Sequence, residues 1–174
     1  TQRETCCHSG GHLEFGPNGD LYISTGDNTS SKESDGFSPI DERPGRGPFD
    51  AQKSSGNTHD LRGKILRVKL KPDGTYTIPD GNLFPKDGSK GRPEIYIMGA
   101  RNPYRMTVDK RGYVYWGDVG PDASSPSAAR GPRGYDEVNQ ARHAGFFGWP
   151  YCIADNVPYR DYDFATGVAG PAFD

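Results

Sequence analysis

The sequence predicts an all-β fold of short strands joined by turn-rich loops. Three observations lead there. Of 174 residues, 24 are Gly and 15 are Pro, and inside a helix each Gly costs about 1 kcal/mol and each Pro about 3. Aromatic residues reach 11%, with 10 Tyr, whereas disordered chains are poor in aromatics. Apolar and polar residues alternate with a period of two in several stretches, and no segment sustains the helical period of 3.6.

The strands follow in order. Residues 20–25 (DLYIST) alternate Leu, Ile and Thr with Asp, Tyr and Ser and predict the first strand. Residues 63–70 (GKILRVKL) predict the second, and the turn Pro72-Asp73-Gly74 sends the chain back into a short strand at 75–78. Residues 94–98 (EIYIM) predict another. Residues 105–108 and 113–116 predict a hairpin around Lys110-Arg111-Gly112, and 137–140 a further short strand. Two connections stand apart: 28–60 and 122–134 are rich in Ser, Gly, Pro and Asp. Loops of that length in a compact domain are functional or disordered. Asn28-Thr29-Ser30 has the form of a glycosylation sequon.

The chain repeats itself weakly. Residues 15–22 (FGPNGDLY) match 108–115 (VDKRGYVY), an offset of 93 from Gly19 to Gly112. Both strands run on to Gly-Asp, at Gly26-Asp27 and Gly117-Asp118. Two blades of a β-propeller, at about 40–50 residues each, produce such an offset.

Composition narrows the function classes. With 21 basic and 23 acidic residues, the net charge is −2, and the absence of a basic run argues against nucleic acid. No apolar stretch approaches the roughly 20 residues of a membrane helix. The chain starts at Thr1 without Met and stops at Asp174 after a Gly/Pro-rich stretch, so a piece of a longer reading frame is expected. Its three cysteines are Cys6, Cys7 and Cys152. The adjacent pair forms either a vicinal disulfide in an oxidising compartment or two buried thiols.

The densest polar cluster runs from Cys6 to Asp27. His8 precedes a strand and Asp27 follows it, and a His with a nearby carboxylate can act as a base with its orienting partner. His8, His12, Cys6 and Cys7 could also suggest zinc, but they crowd into one Gly-rich loop without the usual paired-ligand spacing. Arg101 sits in GARNPY (99–104), just past a strand, as a candidate clamp for an anion or carbonyl. Backbone carbonyls at Gly120-Pro121 could ligate a hard cation such as Ca²⁺. Asp136, Glu137, Asp155, Asp161 and Asp163 are further oxygen donors.

Six stretches together carry a family resemblance: HSGGHLEFGPNGDLYISTGD (8–27), GKILRV (63–68), EIYIMGARNPYRMTVD (94–109), GDVGP (117–121), GYDEVNQ (134–140) and GFFGWP (145–150). Their order resembles that of the soluble glucose/sorbosone dehydrogenases, six-bladed propellers that use pyrroloquinoline quinone (PQQ) and Ca²⁺. The resemblance implies four-stranded antiparallel blades, with residues 1–174 forming about three to four of the six and incomplete at both ends. It implies that His8 is the general base, that Asp27 orients it, and that Arg101 and Asn102 face the cofactor. It further implies that the Gly120 and Pro121 carbonyls ligate Ca²⁺; Asp136, Glu137 and the Asp161/Asp163 loop are, by their oxygen donors alone, candidates for a separate structural site. The activity implied is hydride transfer from a sugar or polyol carbon to PQQ in a secreted or periplasmic protein. Electrons would leave to an acceptor such as a cytochrome c domain. Ala100 stands where the family usually has His, so that edge of the pocket differs. Family residues for the PQQ carboxylates lie outside this chain, so the isolated fragment is expected to be inactive. The alternatives are a non-catalytic propeller module that binds carbohydrate or protein ligands, and a calcium-dependent propeller hydrolase.

Overall fold

The computed structural model describes residues 7–30 and 32–174. No helix among them is long and apolar enough to cross a membrane. The described residues contain only two helical elements, single 3-10 turns at Gly47–Phe49 and Ala51–Lys53. The strands of the first half are β1 (Leu13–Phe15), β2 (Leu21–Thr25), β3 (Lys64–Leu70), β4 (Tyr76–Thr77) and β5 (Ile95–Met98). Then come β6 (Pro103–Val108), β7 (Val114–Asp118), β8 (Glu137–Ala141) and β9 (Gly145–Phe146). The short strands β10 (Cys152–Ile153), β11 (Val157–Pro158), β12 (Arg160–Asp163) and β13 (Val168–Ala172) complete the set.

In the larger sheet β1, β2, β3 and β5 are successive antiparallel neighbours. β4 folds back on the far end of β3, as the Pro72-Asp73-Gly74 turn requires. β9 joins the other edge of β5 in parallel, a pairing that the period-two pattern does not announce. The second sheet has the order β6-β7-β8, all antiparallel. The pairs β10/β11 and β12/β13 form separate hairpins.

The internal repeat is a real structural repeat. Gly16 N donates to Asp20 O and Gly19 N to Gly16 O in the β1–β2 turn; Asp109 N donates to Tyr113 O and Gly112 N to Asp109 O in the β6–β7 turn. The turn glycines Gly19 and Gly112 have φ of 74° and 83°, the left-handed region that Gly enters without a Cβ penalty. The two hairpins also touch. β6 is an edge strand, and edges expose unpaired N–H groups. Side chains of β1 and the residue before it cover them: His12 Nδ1 accepts from Met106 N, and Glu14 Oε1 accepts from Val108 N, each at 3.1 Å.

Between the sheets lie Tyr22, Ile65, Tyr96, Ile97, Met106, Val114 and Trp116. A second cluster joins Phe37, Ala51, Ala123, Trp149, Ile153 and Tyr159, so both long connections contribute to a core. Arg130 fastens them: its guanidinium lies 5.4 Å from the Phe37 ring, 4.2 Å from Tyr162 and 4.8 Å from Phe164. The expectation of disorder for these segments is therefore corrected. The sequon reading falls with it, because Asn28 is buried and a glycan must project into solvent. The proposed Cys6–Cys7 pairing involves a residue outside the described ones; Cys7 is disulfide-bonded and Cys152 is a free thiol.

Candidate active site

The site is assembled where the two repeats end. His8 lies ahead of β1 and Asp27 just past β2, so the hairpin folds them onto each other. Cys7 and His8 both adopt positive φ, 83° and 50°. The His8 carbonyl rests on Gly26, where an added Cβ would stand 2.2 Å from it. Only Gly allows that approach. Gly26→Ala should therefore push the His8 loop away and lower stability by about 1–3 kcal/mol, measurable as a lower urea midpoint at constant slope. An unchanged midpoint would show that the loop gives way freely.

His8 Nδ1 is hydrogen-bonded to Asp27 Oδ1, and Asp27 is fully buried. Thr29 N donates to Oδ1 at 3.0 Å, Thr29 Oγ1 to Oδ2 at 2.8 Å, and Trp149 Nε1 to Oδ2 at 2.8 Å. Burial alone would raise the Asp27 pKa. The His8 hydrogen bond and charge, the Arg101 charge and the Thr29 N–H outweigh it and hold the carboxyl below its ordinary value. Asp27 is thus an ionised acceptor. His8 must then donate from Nδ1, which places the lone pair on Nε2.

Arg101 occupies the repeat position of His8, since 101 − 8 gives the same offset of 93. Its carbonyl accepts from Asp27 N at 2.7 Å, so the two repeats are tied at the site. Its side chain is buried, donates from Nη1 to Val119 O at 2.8 Å and lies 5.7 Å from the Trp149 ring centroid. Asp118, the last residue of β7, accepts from Arg101 N at 3.1 Å and Asn102 N at 2.6 Å. Burial raises the Asp118 pKa to about 7, with Glu137 adding to the rise, against the pull of those two N–H groups and the Arg101 charge. Asn102 turns its amide oxygen to Gly10 N at 3.0 Å, bracing the loop that carries His8.

The Gly120-Pro121 turn packs backbone to backbone on 134–136. A Cβ on Gly120 would lie 1.9 Å from Tyr135 O, and one on Gly134 would lie 1.6 Å from Pro121 O. Asp136 Oδ1 accepts from Gly120 N at 2.8 Å, and Glu137 Oε1 from Ala154 N at 2.6 Å. Asp163 caps its own turn at Ala165 N and Thr166 Oγ1. Among the described residues, no three His, Cys, Asp or Glu side chains are placed to hold a metal ion together.

Arg101, Asp118, Gly120, Tyr135, Phe147 and Trp149 line one cavity, together with Glu137 and Cys152. Trp149 joins this cavity to the His8–Asp27 pair through its indole N–H. The segment 28–60 flanks the same place. Ser55 Oγ donates to Ala100 O at 2.8 Å, and the buried Lys64 ammonium donates to the carbonyls of Ser54, Ser55 and Arg62, each at 2.9 Å. Sequence reasoning assigned no role to Thr29, Lys64, Asp118 or Trp149. Only the Gly-Asp repeat at 117–118 and the motif GFFGWP held a hint of the last two.

Comparison with known proteins identifies the family of the chain. The family model for glucose/sorbosone dehydrogenase matches residues 1–171. The chain is 30% identical to the aldose sugar dehydrogenase YliI of Escherichia coli, over 95% of this chain and 37% of that protein. It is 31% identical to the HIPL2 protein of Arabidopsis thaliana, over 87% and 20% of the two chains. It is 26% identical to quinoprotein glucose dehydrogenase B of Acinetobacter calcoaceticus, over 91% and 30%. Among solved structures, an oxidoreductase of Thermus thermophilus described as a glucose dehydrogenase superposes with a TM-score of 0.58 at 28% identity, covering 92% of this chain and 40% of that one. The PQQ-bound aldose sugar dehydrogenase of Streptomyces coelicolor shares the fold, with a TM-score of 0.54 at 24% identity over 94% and 34%. The chain thus spans 20% to 40% of the length of these relatives.

Proposed function

Because the chain belongs to the glucose/sorbosone dehydrogenase family, we propose that it supplies the general-base side of a PQQ-dependent dehydrogenase that oxidises a sugar or polyol. One observation carries this reading: the buried carboxylate of Asp27, held by donors on both oxygens, fixes His8 as an Nδ1–H donor with its base at Nε2. That is the tautomer needed to take a hydroxyl proton from substrate. Asp27 then stabilises the imidazolium that forms.

The wall of the cavity, which encloses only about 10 Å³ here, has the chemistry that a planar anion requires. It offers the buried Arg101 cation and the aromatic side chains of Trp149, Phe147 and Tyr135. Arg101 would hold the cofactor there, with Asn102 supporting it. Calcium, if bound at Gly120 and Pro121, would meet neutral carbonyls, and its remaining ligands would come from cofactor and water. When bound, PQQ accepts the hydride of the substrate carbon and Ca²⁺ acts as a Lewis acid on it. Asp118 sets the Arg101-Asn102 turn through its two N–H bonds, and Lys64 and Ser55 set the peptide ahead of it.

The wider reading is a six-bladed propeller of which residues 1–174 contribute about three to four four-stranded blades. It follows that the isolated chain is inactive. The disulfide at Cys7 supports a secreted or periplasmic location, with an acceptor such as a cytochrome c domain taking the electrons. The test is reconstitution of the complete polypeptide with PQQ and Ca²⁺, followed by sugar and polyol oxidation with an artificial acceptor. Turnover that requires both additions is expected. Calorimetric Ca²⁺ titration should show affinity that strengthens when PQQ is present, by reciprocity of coupled binding. Tight Ca²⁺ binding indifferent to PQQ, together with no oxidation of any sugar tested, would sink the reading.

A further inference from the structure

Ser54 and Ser55 follow the second 3-10 turn of the long connection, and both are buried. The Lys64 ammonium holds their carbonyls, and their hydroxyls meet other segments. Ser55 Oγ donates to Ala100 O at 2.8 Å and stands 3.4 Å from Trp149 O. Ser54 Oγ accepts from Asn28 N at 3.4 Å. One dipeptide thus meets three stretches of chain, 26, 45 and 94 positions away. All three carry residues of the site: Asn28 follows Asp27, Ala100 precedes Arg101, and the Trp149 indole donates to Asp27 Oδ2.

The Ser55 hydroxyl fills a gap that the backbone leaves. At the end of β5, Phe147 N donates to Met98 O and Trp149 N to Gly99 O. Pro150 comes next and has no N–H to give. The Ala100 carbonyl is buried there, and a buried carbonyl requires a donor, which Ser55 supplies. The junction is also tight. At Gly63, with φ of 68°, an added Cβ would stand 2.7 Å from both Ala100 O and Ser55 Cβ, and Ala100 N donates to Gly63 O at 3.2 Å. In such close packing Ser55, Gly63 and Ala100 cannot shift independently.

We propose that Ser55 is a positioning residue of the dehydrogenase site. Its hydroxyl, carried by the turn that Lys64 holds, fixes the peptide that bears Arg101 against the peptide that bears Trp149. The place of Trp149 in turn sets the reach of its indole to Asp27, and so the hold of Asp27 on His8. The assignment rests on the dehydrogenase reading of the site and acts through Ala100 and Trp149.

The experiment is Ser55→Ala in the complete polypeptide, with Ser34→Ala beside it. Ser34 Oγ is buried as well, and its bond to Phe37 O at 2.8 Å stays within the long connection. Both variants are expected to melt lower, and to a similar extent. Only Ser55→Ala should slow sugar oxidation, with kcat down about 10-fold and KM within about 2-fold, inside the roughly 100-fold that a misplacement of about 1 Å costs. Only Ser55→Ala should move the proton resonance of the Trp149 indole N–H, because the bond to Asp27 is disturbed. Slower turnover with an unmoved resonance, a moved resonance with full turnover, no change in either, or equal losses in the two variants would each overturn the proposal. A wild type that oxidises no sugar with PQQ and Ca²⁺ overturns the dehydrogenase reading instead. The indole resonance of Ser55→Ala then decides by itself whether Ser55 holds Trp149 on Asp27.

Discussion

Asp27→Asn should lower sugar turnover in the reconstituted complete polypeptide by about 10³–10⁴-fold while leaving the fold and PQQ affinity nearly intact. The reason is the direction of the hydrogen bonds. His8, Thr29 and Trp149 converge on the two oxygens of Asp27, and a carboxylate can accept all of them. Asn offers one oxygen. Its amide N–H₂ takes either the Oδ2 place, against the Trp149 N–H, or the Oδ1 place, against the Thr29 N–H and His8; neither N–H can accept from it, but in the Oδ1 place His8 can. The imidazole then accepts at Nδ1 and carries its proton on Nε2, where it cannot act as a base. Loss of the orienting carboxylate in a Ser-His-Asp triad has a cost of that order for the same reason. His8→Ala should cost about 10²–10⁴-fold, the usual range for a general base. Nitrogen NMR of His8 separates the causes: Asp27→Asn should move the proton from Nδ1 to Nε2. Wild-type turnover in Asp27→Asn, or an unchanged tautomer with full activity loss, would exclude the base-and-orienter assignment.

The second large effect is on stability. Lys64 is fully buried and donates to three backbone carbonyls, Ser54, Ser55 and Arg62, at 2.9 Å each. Lys64→Met keeps the volume and leaves those carbonyls unpaired at about 1–3 kcal/mol apiece, partly offset by removing a buried charge. A net loss of about 3–5 kcal/mol is expected, read from the urea midpoint at constant slope. The pH dependence gives a sharper signature. Burial pushes the Lys64 pKa from 10.5 down to about 7, against the pull of Asp60 and Asp27. Between those values the unfolded chain binds a proton that the folded chain does not. Stability therefore rises with pH across that window and falls as pH drops toward 7. The difference between wild type and Lys64→Met should carry this slope, because every other group titrates in both. A variant as stable as wild type, with a parallel pH profile, would show that the loop end at 54–62 is held by other bonds.

Strands with one buried face were readable from residue order alone. β2 and β7 alternate between buried and partly buried positions along their length, and that alternation is written in the amino acids. The turns between repeats were readable because Gly19 and Gly112 need φ that other residues resist. Strand β9 was not, since it is two residues long and its partner β5 lies about fifty residues earlier. Strand β12 (RDYD) was not, because its hairpin carries polar residues that no apolar pattern marks. The carboxylates at Asp136 and Glu137 looked like cation ligands in isolation. In the structure they accept from Gly120 N and Ala154 N, which a list of acidic residues cannot show.

By itself, then, the sequence determined the all-β class, the positions of the main strands, the repeat of 93 residues, and His8, Asp27 and Arg101 as the residues to watch. These depend on local physics: side-chain alternation, Gly at left-handed turns, and short loops that carry a residue before a hairpin to one after it. The tertiary structure alone decided what surrounds them. Trp149 reaches Asp27 across 122 positions of chain, Lys64 closes the long connection beneath Ala100, and Asp118 clamps the Arg101-Asn102 turn. Such contacts join segments that no periodicity relates. They form because a buried donor or carboxylate must find a partner wherever packing brings one within reach.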